Sequence, residues 1–353
     1  MSFGYEVRPF VPENRDSLED LYRAVYGENW VQKTSLGWTL DHPMANGGAV
    51  VAVKDNVVVS AQPYCDFPLH TRWGVRGATL FLDVATHPAH QRRGLFMQVV
   101  TTATTAAFER GSSVIMTTPN RISFLGFQKL PGWIRLCSLD CMILPLGAGD
   151  PVVDGGPVIS AARAGLALVS RFCKRPKPTD VACGRDNGIE SPWLPRGDAD
   201  VIWSRFSASM DNSIERNGDF LRWRFGPSYR LFLKRDSQGA GGYAAARVIT
   251  RGGLKIGMIL DCVVTNDEKS ADLLIAHVIT WLKEQGAAAA VAYFLERSTP
   301  WNQLRAAGFL PLPRFCAPRD YPVCVSVRPE DPQGTELLNP SRWHMSLADS
   351  DLA

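Results

Sequence analysis

Two hydrophobic periods alternate along the chain, and the switches between them mark the elements. A short strand is predicted over 5–10. A helix is predicted over 14–26, with Leu18, Leu21, Tyr22 and Val25 on one face. Two β-branched runs follow, 49–54 and 57–61, and the Asp55-Asn56 dipeptide between them is a hairpin signal. A third strand, 78–86, leads through HPAHQRRG into a helix over 95–109 that Gly111 closes. The strand 113–118 then ends at Pro119-Asn120, where a short helix is expected to begin.

Beyond residue 200 the same order returns. Strands are predicted over 229–234, 242–250 and 255–264, a helix over 269–285 stopped by Gly286, and a strand over 288–295. Asp83 aligns with Asp261, Gly111 with Gly286, and Gly132-Trp133 with Gly308-Phe309, all at nearly one offset. This reads as a degenerate internal duplication. Between the halves, glycines, prolines and charges surround one helical stretch, 158–173, which KRPKP terminates because proline cannot continue a helix. The division expected is therefore 1–146, a linker at 147–200, and 201–353. The fold class expected is α/β in the α+β sense: two tandem units, each a mixed, mostly antiparallel sheet flanked by helices.

Composition narrows the partners. The 353 residues carry 38 Lys plus Arg against 35 Asp plus Glu, a net charge of +3, so no dense basic face is available for nucleic acid. The longest apolar run, 287–295, falls well short of the roughly 18–20 residues that span a bilayer, so no transmembrane segment is expected. Glu6 and Arg8 stand where a signal peptide needs an apolar core, and the eight cysteines are scattered. Only Cys137 and Cys141 lie close, without a second ligand pair, so reduced thiols, no metal and a cytoplasmic location are expected.

The segment LFLDVATHPAHQRRGLFMQVV carries the chemistry. A turn entering a helix exposes unpaired N–H groups at the positive end of the helix dipole, which makes an anion seat. Gly94 lets a ligand approach the backbone closely, and Arg92 and Arg93 add charge suited to a pyrophosphate. After a strand, Q-R-R-G-L-F resembles the acetyl-CoA signature of the GNAT acyltransferases, Q/R-x-x-G-x-G/A, with Pro88 where that family usually has a proline. Asn120, Ser123, Phe127, Lys129 and Gly132-Trp133 resemble the family's second motif, with one extra residue at Pro131. The second half has acids and no glycine at 266–270, so it is not expected to bind CoA.

The resemblance implies acetyl-CoA as co-substrate and a small-molecule amine as acceptor, such as an amino sugar or amino-acid derivative. It places Val84, Ala85 and Thr86 along the pantetheine and Gln91, Arg92, Arg93, Gly94, Leu95 and Phe96 under the pyrophosphate. Asn120, Ser123 and Phe127 belong to the second motif. A backbone N–H near Val84 or Ala85 would face the thioester oxygen, an oxyanion donor worth roughly 3 kcal/mol. Two positions depart from the pattern. Phe96 replaces a small residue, so its side chain must turn away from the phosphates, and Phe127 replaces the tyrosine that often protonates the departing thiolate. Ser123 and Tyr64 are the nearest substitutes. Candidate bases are Asp83 and His87, which strand alternation puts on one face with Phe81 and Ala85. Trp30, Trp38, Tyr64 and Trp73 read as core or as an acceptor pocket, and 221–225 reads as a packed helix with two salt-bridged arginines. A non-catalytic acyl-CoA sensor and a Fem-like aminoacyl transferase are the rival readings, and a homodimer is left open.

Overall fold

Strand β1 (Glu6–Pro9) and helix α1 (Arg15–Tyr26) lead into the hairpin β2 (Gly47–Lys54) and β3 (Val57–Thr71). Asp55 and Asn56 turn that hairpin with left-handed φ of 47° and 65°, as the sequence signal required. Next come β4 (Gly74–Phe81), the two-residue β5 (Ala85–Thr86), α2 (Leu95–Glu109), β6 (Ser112–Thr117), α3 (Arg121–Phe127) and β7 (Trp133–Pro145). The later chain forms β8 (Ile189–Glu190), α4 (Arg196–Ser207), β9 (Asn212–Ile214), α5 (Gly218–Arg224), β10 (Arg230–Asp236), β11 (Gly239–Arg251) and β12 (Leu254–Val264). It continues through α6 (Glu268–Glu284), β13 (Ala289–Leu295), α7 (Thr299–Ala306), β14 (Leu310–Pro311) and β15 (Tyr321–Val327). The structure is a computed structural model that describes residues 4–27, 36–41, 46–147, 189–190, 194–237, 239–251, 253–264 and 268–350. The expected linker helix at 158–173, Trp30 and residues 266–267 lie outside the described residues, as do the side chains of Trp38, Glu268 and Lys269.

The fold is mixed α/β, with a large, mostly antiparallel sheet flanked by helices. Strands of both halves join in one order, β1-β2-β3-β4-β6-β15-β7-β13-β12-β11-β10-β8, with β5 and β9 attached to β3 and β14 to β7. The last strand, β15, thus lies between β6 and β7, so strands distant in sequence share the centre of the sheet. Two strand pairs are parallel, β4 with β6 and β12 with β13, and each is linked by a helical crossover, α2 or α6. Gly111 and Gly286 end those helices with φ of 103° and 77°, values that an L side chain resists.

Packing follows the predicted faces. Leu18, Leu21 and Tyr22 of α1 are buried against β2 and β3. Helix α2 buries Leu95, Val99, Val100 and Ala103 with Phe81, Phe127 and Trp133, and α6 buries Leu274, Ile275, Val278 and Leu282 in its own cluster. On the other face, Trp203, Phe206, Phe220 and Trp223 pack with Phe67 and Leu69 of β3. Helix α5 is packed, as expected for 221–225. Arg222 is exposed, while the buried Arg224 guanidinium donates to the carbonyls of Leu347, Ala348 and Ser350.

Among the described residues six thiols are free and no cluster of metal-ligand side chains occurs. Burial pushes Cys137 up to about 12 and Cys141 up to about 11, which leaves both poor thiolates at neutral pH. No described helix is long and apolar enough to cross a membrane.

Candidate active site

The third strand does not run unbroken to Thr86. Phe81 pairs with Tyr64 and Ala85 with Ala61, so Leu82, Asp83 and Val84 face only Gln62 and Pro63. The extra residue is a bulge, and Asp83 takes a left-handed φ of 35° within it. Strict alternation is therefore lost. Asp83 does not continue the face of Phe81, which corrects the expectation that Phe81, Asp83, Ala85 and His87 line up. Helix α1 supports the bulge through tyrosines one turn apart: the Tyr22 hydroxyl donates to Asp83 O at 2.8 Å and the Tyr26 hydroxyl to Val84 O at 3.4 Å. The Val84 N–H has no acceptor among the described residues.

Opposite the bulge, β4 and β6 pair only as far as Leu80 and Met116 and then part. The cleft between them is lined by Asp83 and Val84 on one side, Thr117, Thr118, Asn120 and Ser123 on the other, with Phe127, Gln62, Tyr26 and Arg319 completing its walls. Gln62 is 1% exposed, and its Nε2 donates to Pro63 O and Leu82 O at 2.7 and 3.1 Å. Those two acceptors fix the orientation of the amide. Its Oε1 is then a buried acceptor with no partner, a cost of about 1–3 kcal/mol in an apo site that a bound N–H would relieve.

Beside the cleft lies the turn that enters α2. Gln91 donates to Thr86 O at 3.3 Å, Arg92 has φ of 59° and Gly94 has φ of 77°. A Cβ on Gly94 would meet only Gln98 Nε2, at 3.8 Å, so the glycine serves the backbone conformation and leaves open space before the helix N-terminus. Arg92 and Arg93 are exposed. Burial, then the neighbouring His87, Arg93 and Lys54, lower the pKa of His90, whose Nδ1 pairs with the Tyr5 hydroxyl at 2.9 Å. At neutral pH the positive charge of the turn thus resides on its arginines. Leu95 is buried and anchors the helix start, while the Phe96 ring lies against Gly126 and edge-to-face on Phe127 at 5.4 Å. It faces α3 and the core, away from the turn.

The remaining sequence candidates separate cleanly. Asn120 caps α3 by accepting from Ile122 N and Ser123 N, and the Ser123 hydroxyl donates to Asn120 O at 3.3 Å. Phe127 is 1% exposed at the cleft wall, packed at a tilt against Trp133 with ring centroids 4.7 Å apart. His87 does not line the cleft; its Nδ1 accepts from Ala89 N at 3.2 Å and caps the short turn at 88–90. Tyr64, named as a proton source, is placed elsewhere: its ring lies under the Arg110 guanidinium at 4.0 Å, at the C-terminal end of α2. Sequence reasoning missed Tyr26, Gln62, Thr117, Thr118 and Arg319. Tyr26 sits one turn from Tyr22, a spacing that could have flagged it, whereas Arg319 comes from the distant segment before β15 and carries no local signal.

The profile of the Acetyltransferase (GNAT) domain matches residues 6–127, which carry the bulge, the turn and most of the cleft. This segment is a GNAT acetyltransferase domain. Among solved structures, a GCN5-related N-acetyltransferase from Anabaena variabilis superposes with TM-score 0.58 at 9% identity, covering 92% of this chain and 72% of the other. A probable N-acyltransferase from Enterococcus faecalis gives 0.60 at 11% identity over 92% and 72%. A GCN5-related N-acetyltransferase from Kribbella flavida gives 0.59 at 12% over 93% and 72%. At these identities the likeness is one of fold. No curated protein matches the chain.

The GNAT segment's bulge has a counterpart in the later chain. In β12, Asp261 pairs with Ala245 and Ile259 with Ala246, which leaves Leu260 as the extra residue. Asp261 is fully buried. Its Oδ2 accepts from Arg216 Nε at 3.1 Å and from the Tyr243 hydroxyl at 2.8 Å, and its Oδ1 from Ser346 Oγ at 2.9 Å and Cys262 N at 3.1 Å. Burial alone would raise its pKa, but Arg216, His344 and Tyr243 together hold it well below the usual carboxylate range. Arg216 also donates to Asp349 at 2.6 Å, and Ser350 meets Thr118 at 2.8 Å, so the tail reaches from this network to the floor of the GNAT cleft.

Proposed function

We propose that the chain is an acyl-CoA-dependent N-acyltransferase that transfers acetyl from acetyl-CoA to a small amine by direct attack on the thioester. The observation that carries this reading is the cleft between the parted ends of β4 and β6, flanked by an open, doubly charged turn at the start of α2. Arg92, Arg93 and the N–H groups around Gly94 and Leu95 would hold the pyrophosphate, with Gln91 bracing the turn and Phe96 turned aside. The pantetheine would run along Val84, Ala85 and Thr86 toward Asn120, Ser123 and Phe127. The unpaired Val84 N–H is then available to the developing oxyanion. Asp83, in the cleft wall, would take the proton from the attacking amine; His87, occupied as a cap outside the cleft, has less support. Ser123 would assist the leaving thiolate, and no metal takes part in the proposed transfer. A cytoplasmic location fits acetyl-CoA as donor.

The division 1–146, 147–200 and 201–353 and the reading of the last part as a degenerate copy belong to the same proposal. They are supported by the two parallel crossovers, the two bulges, and the positive φ of Gly132 and Gly308, 76° and 97°. The decisive assay is release of free thiol from acetyl-CoA across an amine panel. Gly94→Asp and the Arg92→Glu/Arg93→Glu pair should abolish it by excluding the cofactor. A second reading, acyl-CoA binding without turnover, is favoured by Phe127, a side chain with no proton to give. Tight acetyl-CoA binding with no thiol release across the panel would establish that reading.

A further inference from the structure

The lining of the cleft combines two opposite chemistries. It includes the acid Asp83 and Gln62, whose Oε1 is buried without a donor while its Nε2 is committed to two backbone carbonyls. Such a wall asks for N–H groups. Arg319 also lines the cleft, brought there from the loop before β15. Its guanidinium lies over the Tyr321 ring at 5.0 Å, and no carboxylate among the described residues pairs with it. The neighbouring acid, Asp320, is turned to Arg135 at 3.9 Å. A half-buried arginine, stacked on an aromatic ring and lacking an acid, asks for a planar anion.

Resting on the acyltransferase reading above, we infer that the acceptor is an amine that also bears a carboxylate, an amino acid or a compact derivative of one, with Arg319 as its specificity-determining contact. Gln62 Oε1 and Asp83 take the amine hydrogens, and the fork of Arg319 takes the carboxylate. The amine nitrogen forms the new amide bond to the acetyl carbon as the C–S bond breaks; the nitrogen's proton passes to Asp83, and the sulfur leaves on CoA and is protonated there. Arg319 is distinct from the pyrophosphate seat, because Arg92, Arg93 and Gly94 are not among the cleft-lining residues. A polyamine, cationic along its length, or an amino sugar, whose remaining groups are neutral hydroxyls, would place no anion before it.

Calorimetry on the full chain with CoA present tests this without turnover. The probes are N-acetyl derivatives of the twenty standard amino acids and their primary amides, which differ only at the carboxylate. At least one free acid should bind about tenfold or more tighter than its amide. Arg319→Ala should bring that ratio to about one, and Arg319→Lys should restore part of it. Equal affinity for acid and amide, no binding by any acid, or a preference that survives Arg319→Ala would each overturn the inference. Thiol release with the parent amino acid and its decarboxylated amine reads the other question. Binding that follows the pattern without thiol release refutes acyl transfer and leaves the carboxylate site standing. Turnover that favours decarboxylated amines refutes the carboxylate site and leaves acyl transfer standing. The KM for acetyl-CoA should be unchanged in Arg319→Ala, while the KM for the amino acid rises.

Discussion

The bulge at Asp83 and the bulge at Asp261 occupy corresponding places, each near the end of the strand that feeds a helical crossover, yet their surroundings are opposite. Asp261 accepts four hydrogen bonds from within the chain and is closed over by Arg216, Tyr243 and the tail residues Ser346 and Asp349. At Asp83 the α1 tyrosines donate to the backbone carbonyls of Asp83 and Val84, and both of those residues line a cleft. One backbone device thus serves as a structural knot in one place and as a wall of a site in the other. What differs is that Asp261 belongs to a fully buried network while Asp83 borders a cleft.

Stability and turnover should divide along that line. Arg216→Met leaves Asp261 and Asp349 buried and facing each other without their shared cation, a loss of about 3–5 kcal/mol measured by denaturant unfolding. A loss under about 1 kcal/mol would mean that the second bulge is not held by this network. Asp83→Asn should do the reverse. Asparagine tolerates the left-handed φ that Asp83 adopts and nearly matches its shape, so unfolding should shift by much less than in Arg216→Met. Meanwhile kcat/KM for the amine should fall about 10²- to 10⁴-fold. Full kcat/KM in Asp83→Asn across pH would end the assignment of Asp83 as base.

Acid sharpens the same contrast. The folded protein holds Asp261 ionised more firmly than the unfolded chain does, so on acidification the unfolded state binds the extra proton first. The stability that Asp261 contributes is therefore present in full above its unfolded pKa, about 3.9, and is lost as pH falls from there toward the depressed folded value. Asp261→Asn should be less stable throughout and should show a shallower decline below about pH 4 than the parent protein. Parallel acid limbs for the two proteins would show that Asp261 is not the group responsible.

Much of this was legible from local sequence signals. The α2 boundaries, the Asp55-Asn56 hairpin, the Asn120 cap and the glycines at 94, 111 and 286 are each set by near neighbours, so periodicity and turn chemistry find them. The bulge was not, because a bulge preserves the apolar content of a strand and changes only its register with a partner. Strand β3 was read as ending at Ala61 but runs on to Thr71 through Pro63 and Pro68. Gln62 therefore lay just outside the predicted strand, although it is buried in the cleft wall. The wall contributed by Arg319 was out of reach for a different reason. It depends on β15 entering the sheet between β6 and β7, a pairing across some two hundred residues that no window detects.

The smallest expected effect concerns Phe127, where the domain departs from its family pattern. A hydroxyl at the para position would enter a contact region shared with Phe96 and Trp133, at a cost of about 1 kcal/mol in stability if it reaches no partner. Phe127 also lines the cleft, so the hydroxyl of Phe127→Tyr can instead point toward the leaving sulfur. A CoA thiolate is already a competent leaving group, so protonation has little barrier left to remove. We therefore expect kcat to rise less than about tenfold, with KM for acetyl-CoA unchanged. A larger rise would show that departure of the thiolate limits turnover and that Ser123 does not supply the proton. A fall in kcat with unaltered stability would show that the site relies on Phe127 to keep water from the thioester.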